Sequence, residues 1–201
     1  MWTSQDTTEN VLRDWLSCAD SLGPADLIFV MAGRQARKSY ALELFERGFA
    51  PRLLFSVGRF EIRRFARLKL PVPVDLLALA SSIPPPQRHF FVGFEGGACQ
   101  VERIPVRTFG TLNEIEALAG WLADRAEIRS LLIISSGVHL RRVRMCCRTL
   151  MRKGLRIGFL AAPAAEAGGD GKLEPSPLSE LLKLPIYRAV LATRRAVPAT
   201  E

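Results

Sequence analysis

Chemically competent side chains concentrate in two short stretches of the chain. In the first, Ser135, Ser136 and Gly137 end an apolar run, Leu131 to Ile134, and are followed at once by His139, Arg141, Arg142 and Arg144. Hydroxyls, guanidinium groups and a histidine whose charge switches near neutral pH suit a phosphate or carboxylate. His139 could donate a hydrogen bond to such an anion or act as a general acid/base; the bland alternative is a helix-start histidine bonded to a carbonyl. In the second stretch, Arg34 and Arg37 follow the Ala32-Gly33 pair and open a helix, where the helix dipole favours an acid. They are either a surface accident or anion-facing groups. No histidine sits at metal-ligand spacing from a carboxylate pair, so no metal site is expected. A GxSxG elbow, a GxGxxG fingerprint and a CxxC pair are all missing from the sequence.

These residues need strands and helices to hold them. Leu131 to Ile134 reads as a strand covered on both faces, and Asp26 to Met31 and Arg52 to Val57 read the same way. Arg34 to Arg47 should be a helix with Tyr40, Ala41, Leu44 and Phe45 on its apolar face and Gly48 as its C-cap. Phe60 to Leu68 reads as a short basic helix, whereas the run inside Leu70 to Pro86 could be strand or helix. His89 to Glu95 and Ala98 to Val106 flank Gly96-Gly97, as in a hairpin or a bulged crossing. Thr111 and Glu114 fit a capping box that opens a helix buried through Ile115, Leu118, Ala119 and Leu122.

In the helix after Gly137, the spacing puts Val143, Cys147 and Leu150 on one face and Arg141, Arg144, Arg148 and Arg152 on another. The latter stripe is expected to be mainly solvated. Arg142 falls between stripe and core and is expected to reach back over the sheet edge. Gly154 should cap this helix, and Arg156 to Leu160 is the last clear strand. Ala161 to Pro177 reads as a mobile surface loop, Leu178 to Leu184 as a short helix interrupted by Pro185, with Tyr187 to Thr193 beyond it. At the other end, Asp6 and Glu9 fit a capping box for an amphipathic helix through Val11, Leu12, Trp15 and Leu16, either packed on the domain or serving a partner.

The organisation that follows is an N-terminal helix within 1–23, one α/β domain over 24–194 and a frayed tail, 195–201. At 201 residues the chain is long enough for one full domain with a buried core. Alternation of short apolar runs with amphipathic helices predicts a mainly parallel sheet. Hydrophobic residues make up 48% and no apolar run reaches the roughly 18 to 20 residues of a membrane span. The opening residues are polar and acidic rather than signal-like, so a cytoplasmic location is expected, with the four cysteines as reduced thiols. A net charge of +8 suits an anionic small molecule, an anionic membrane surface or an acidic protein. Nucleic acid is disfavoured, since the arginines lack interleaved aromatics or a recognised motif.

Several segments together resemble the YdcF-like family, which includes the SanA and ElyC envelope proteins of bacteria. ADLIFVMAGRQARKSYALELFERGFAPRLLFSVG, from Ala25 to Gly58, follows the family's strand, arginine, helix closing at Gly-x-Ala-Pro and strand ending near Ser-Gly-Gly. Gly33, Arg37, Gly48, Pro51, Ser56 and Gly58 fit those places. GTLNEIEAL is similar to the family's Asn-Thr-x-Glu-Asn/Glu-Ala segment, with Thr111 on the threonine. SSGVHLRRV is similar to its Thr/Ser-x-x-x-His-x-x-Arg-Ala segment, with His139 and Arg142 on the histidine and arginine. SELLKLPIYRA resembles the closing Glu-x-x-Lys helix. The chain departs from the pattern at Gly110, where asparagine is usual, at Asn113, where glutamate is frequent, and at Val57, which replaces a glycine. Pro71 to Val106 has no counterpart.

The resemblance implies a three-layer Rossmann-like domain that binds a nucleotide-type ligand such as S-adenosylmethionine, and a role in cell-envelope or polysaccharide processes. The site it implies lies across the C-terminal edge of the sheet. Gly33, Ser56, Gly58, Ser135, Ser136 and Gly137 would supply turns and hydroxyls, with Thr111 beside them. Arg34, Arg37 and Arg142 would hold the anion, His139 would donate or transfer a proton, and Glu114 or Asn113 would orient it. The competing expectation is a non-enzymatic adaptor that uses a flat basic face. A pocket lined by Arg37, His139 and Arg142 would separate the first reading from the second.

Overall fold

The computed structural model describes residues 4–21, 23–105, 107, 110–163 and 176–195. The expected tail beyond 195 and most of the expected loop, 164–175, lie outside the described residues. Six strands form one mixed sheet: β1 (Leu27–Val30), β2 (Arg52–Gly58), β3 (His89–Glu95), β4 (Ala98–Arg103), β5 (Ser130–Ser135) and β6 (Arg156–Ala161), in the order β4-β3-β2-β1-β5-β6. β2, β1, β5 and β6 are mutually parallel, with Phe29 opposite Leu54 and Ile133, and the inner strands β1 and β5 are buried on both faces. The Gly96-Gly97 hairpin adds β3 and β4 antiparallel beside β2. Both turn glycines adopt positive φ.

Helices flank the sheet, and strand alternation divides the core between them. Ile28, Val30, Phe55 and Ile134 pack with Ala41 and Leu44 of α2 (Gln35–Glu46), with Ile62 and Phe65 of α3 (Ile62–Phe65) and with Leu76 of α4 (Leu76–Ser81). Leu27, Phe29, Leu131 and Ile133 pack with Ile115 and Leu118 of α5 (Gly110–Ala123), with Val143 and Cys147 of α6 (Gly137–Leu150) and with Tyr187 and Leu191 of α7 (Pro177–Arg195). α1 (Ser4–Ser17) lies on α6 and α7. The ambiguous segment around Leu70 to Pro86 therefore contains a helix, α4, capped by the Asp75 carboxylate accepting from Ala78 N–H at 2.9 Å. All four cysteines are free thiols. Among the described residues no helix is long and apolar enough to cross a membrane.

Several helix boundaries differ from expectation, among them the end of α6, where Met151 rather than Gly154 is the C-cap residue. α1 begins at Ser4, so Asp6 is already inside it. α5 begins at Gly110, which places Thr111 within the first turn, and Glu114 turns away to bond elsewhere, so no capping box forms. α7 runs unbroken through Pro185. Proline there removes one backbone donor and costs about 3 kcal/mol in a helix interior. Pro185 is exposed, and buried contacts on both sides of it, Glu180 before and Tyr187 and Leu191 after, hold the helix in line.

The α6 arginine stripe is not a solvated face. Arg141 donates to the Trp15 carbonyl at 2.6 and 2.9 Å and stacks on the Trp15 ring. Arg144 bonds the Cys18 carbonyl and the Asp20 carboxylate. Arg152 caps the carbonyls of Leu122, Arg125 and Ile128. Free carbonyls at helix ends and in loops need donors, and long guanidinium side chains reach them. Only Arg148 of the four is exposed.

Candidate functional site

The chain leaves β1 towards β2 on one side and later returns as β5 on the other. Such a reversal opens a crevice at the C-terminal ends of the two strands. α2 starts there on one face of the sheet, and α6 starts there on the other.

Arg37, in the first turn of α2, bridges the two. It is only 4% exposed. Its Nε and Nη2 donate to Ser136 Oγ at 3.1 and 2.8 Å, its Nη1 to the Ala32 carbonyl at 2.5 Å, and its Nη2 lies 3.0 Å from His139 Nδ1. Arg37 thus reaches over the sheet edge, and Arg142 lines the same edge from α6. Gly33 makes this approach feasible: its φ is +133°, and a Cβ there would stand 2.8 Å from Arg37 Nη1.

The guanidinium settles the histidine tautomer. Arginine can only donate, so His139 Nδ1 accepts and the proton sits on Nε2. That nitrogen lies 3.4 Å from Glu180 Oε1. Burial holds His139 below its usual pKa, assisted by the charges of Arg37 and Arg142 and opposed by Glu180. His139 is therefore a neutral, oriented donor at neutral pH.

Glu180, from α7, is 1% exposed and completes this wall. Burial alone would raise its pKa, but His139, Lys183 and Arg142 outweigh it and hold the carboxyl at about 2. Lys183 Nζ donates to Oε1 at 2.6 Å, and Arg142 Nη2 lies 3.1 Å from Oε2 without hydrogen-bond alignment. Arg142 also donates from Nη1 to the Tyr187 hydroxyl at 3.4 Å, while its Nε is buried without a partner.

The turn after β1 is gripped by two carboxylates. Ala32 N–H donates to Glu114 Oε2 at 3.1 Å and Gly33 N–H to Glu61 Oε1 at 2.7 Å. Lys38, almost fully buried on α2, pairs with the other Glu61 oxygen. The backbone N–H groups of this turn are thus held by the protein's own carboxylates. Burial pushes the Glu114 carboxyl up to about 7, with Glu61 adding to the rise and Ala32 N–H, Arg37 and Lys38 opposing it. Farther back, Ser56 Oγ and His89 Nε2 are 2.8 Å apart, and the same ring nitrogen lies 4.0 Å from Glu114 Oε1. Burial lowers the His89 pKa to about 4. Ser56 is fully buried, and both neighbours meet one imidazole nitrogen, so this is not a nucleophilic triad.

A cavity of about 230 Å³ lies over these groups, lined by Ala32, Arg37, Thr111, Glu114, Ser135, His139, Arg142 and Tyr187 among others. Two buried polar atoms of its lining residues, Ser135 Oγ and Arg142 Nε, have no hydrogen-bond partner in the protein. Thr111 and His139, distant in sequence, both line this cavity, whereas Ser56 does not line it and contacts His89, whose Nε2 lies 4.0 Å from Glu114 Oε1. The other candidates stand around the cavity rather than in it. Ser136 is consumed by Arg37, and Gly137 opens α6 beside Ser17 and Ala161. Gly58 ends β2 beside Glu61. Arg34 occupies the N-cap position of α2 without a side-chain capping bond. Asn113 donates to the Pro105 carbonyl at 2.5 Å and does not orient His139. Sequence reasoning assigned no role to Lys38, Glu61, His89, Glu180 or Tyr187. Glu180 had one signal, an acid in the closing segment that resembles the Glu-x-x-Lys helix.

Among the described residues, no cluster of three or more histidine, cysteine, aspartate or glutamate side chains is arranged to hold a metal ion. No protein-family model, no curated protein and no solved structure matches the chain.

Proposed function

We propose that the chain is a divergent YdcF-like protein with a three-layer Rossmann-like domain that binds an anionic small molecule at the C-terminal edge of its sheet. The observation that supports this best is the pair of orphaned buried atoms, Ser135 Oγ and Arg142 Nε, both on residues lining the cavity. Buried polar atoms are nearly always paired, because leaving one unsatisfied costs about 1 to 3 kcal/mol. A ligand oxygen between a hydroxyl and a guanidinium nitrogen would satisfy both. Four cationic groups, Arg37, Lys38, Arg142 and Lys183, surround the site against Glu61, Glu180 and a Glu114 that titrates near neutrality.

A cavity of about 230 Å³ is small beside the roughly 300 to 1,000 Å³ of whole-ligand pockets. The reading is therefore that it takes the charged head of the ligand, a phosphate or carboxylate, while the remainder of a nucleotide, S-adenosylmethionine or phosphorylated metabolite extends outwards. Acid–base chemistry on that head would fall to Glu114, whose proton is exchangeable near pH 7, rather than to His139, whose two ring nitrogens are already engaged.

The test is mass spectrometry of small molecules that co-purify with the native protein and are released on denaturation. An anionic compound retained by wild type and lost from Ser135→Ala and Arg142→Ala supports the reading. Retention of the same compound by both variants places its binding elsewhere.

A further inference from the structure

We propose that the groove between α1, α6 and α7 docks an amphipathic helix of a partner protein, one that carries acidic residues beside an apolar ridge. The groove is separate from the anion cavity and measures about 1270 Å³. Trp15 of α1, Met145 of α6, and Leu181, Leu184 and Pro185 of α7 line it with apolar surface.

The apolar surface continues past the groove. Leu178, Leu182 and Ile186 recur every four residues on α7 and are 59%, 64% and 53% exposed. On a helix of 3.6 residues per turn they share one stripe, adjoining the one that holds Leu181 and Pro185. Trp15 and Val11, four residues apart on α1, are exposed as well. Single exposed apolar residues are ordinary, whereas a contiguous patch marks an interaction surface.

Charge selects the occupant. Arg141, Arg144, Arg148 and Arg188 line the groove against one acid, Asp20. Asp20 and two backbone carbonyls engage Arg144 and Arg141. Arg148 and Arg188 are exposed and have no ion-pair partner among the described residues. Concavity then favours a helix over a bilayer: a lipid surface is flat and would leave the floor at Met145 unfilled, whereas a helix laid between two others buries its apolar ridge and brings flanking carboxylates to the arginines.

A displayed library of amphipathic helical peptides, with acidic, neutral and basic flanks equally represented, tests this directly against the intact chain. Acid-flanked helices should be enriched. Arg148→Glu/Arg188→Glu should weaken them at least tenfold, and Leu181→Asp should abolish them. The charge-reversed variant should keep the wild-type melting temperature, since both arginines are exposed. Vesicles of phosphatidylglycerol in phosphatidylcholine form the second arm and should not bind. Enrichment without acidic bias, enrichment insensitive to the charge reversal, or no enrichment at all overturns the proposal. Vesicle binding that disappears in the charge-reversed variant would replace the helix with a membrane surface.

Discussion

Replacing Glu114 with glutamine should make the protein more stable, and increasingly so as the pH rises. The carboxyl is 6% exposed, and its pKa stands at about 7 against an ordinary 4.5. A carboxyl whose folded pKa is raised favours the native state while it is protonated. That contribution is complete below about pH 4.5 and is lost as the pH rises towards and through 7, because the unfolded chain ionises first. Working the linkage through, wild type forfeits about 1 kcal/mol by pH 5 and about 3 kcal/mol by pH 8, a difference of about 2 kcal/mol. Glutamine keeps an acceptor for Ala32 N–H and has no proton to lose. Urea unfolding of both proteins at pH 5 and pH 8 reads the effect; with a slope of about 2 kcal/mol/M, the midpoint gap should widen by about 1 M between the two pH values. A gap independent of pH, or a variant less stable than wild type at pH 8, would refute the reasoning, since Glu114 would then be an ionised partner of Arg37 and Lys38.

Glu180→Ala strands Arg142 in a buried position, 9% exposed, and should cost about 3 to 5 kcal/mol by urea unfolding, a loss that Glu180→Gln reduces. Because the Glu180 pKa is about 2, below its ordinary 4.5, its contribution is present above about pH 4.5 and fades as the pH falls through 2; acid titration of Glu180→Gln should show a shallower decline. Gly33→Ala forces a Cβ against Arg37 at a φ of +133° and should cost about 1 to 3 kcal/mol, visible as a lower melting temperature. Arg144→Ala unties Cys18 and Asp20, so hydrogen exchange should quicken in α1, with about 1 kcal/mol of global stability lost.

Much of the sheet was legible because its strands are short apolar runs bounded by turns. Leu27–Val30, Arg52–Gly58 and Ser130–Ser135 fall where periodicity put them, and the Gly96-Gly97 pair marked the hairpin. Helix ends were less legible, since Thr111 and Glu114 satisfy a capping pattern locally while Ala32, distant in sequence, takes the carboxylate. Pro185 misled for the same reason: contacts with the rest of the fold hold α7 through it. In the site, the types and positions of Arg37, His139 and Arg142 were readable, but not their partners. Arg37 looked like a misplaced charge at a helix start, whereas its partners Ser136 and His139 lie about a hundred residues away. Lys38 and Glu61 were invisible because neither stands out singly; their meaning lies in a buried pair formed across two elements. The arginine stripe shows the limit of a helical wheel, which sorts side chains by face and is silent on the carbonyls that reach them.

The central claim is that a charged ligand head sits against Arg142 in the edge cavity. Calorimetric titration with inorganic phosphate, nucleotides, S-adenosylmethionine and phosphorylated sugars tests it on wild type, Arg142→Ala, Arg142→Lys and Arg148→Ala. At least one anionic compound should bind wild type. Arg142→Ala should remove a charge-assisted bond of about 1.5 to 3 kcal/mol, a loss of about tenfold to over a hundredfold in affinity. Arg142→Lys should recover part of it, lacking the planar fork, and Arg148→Ala, outside the cavity, should change affinity less than about twofold in physiological salt. Equal losses at Arg142 and Arg148, or a wild-type protein that binds none of these compounds, would contradict the account.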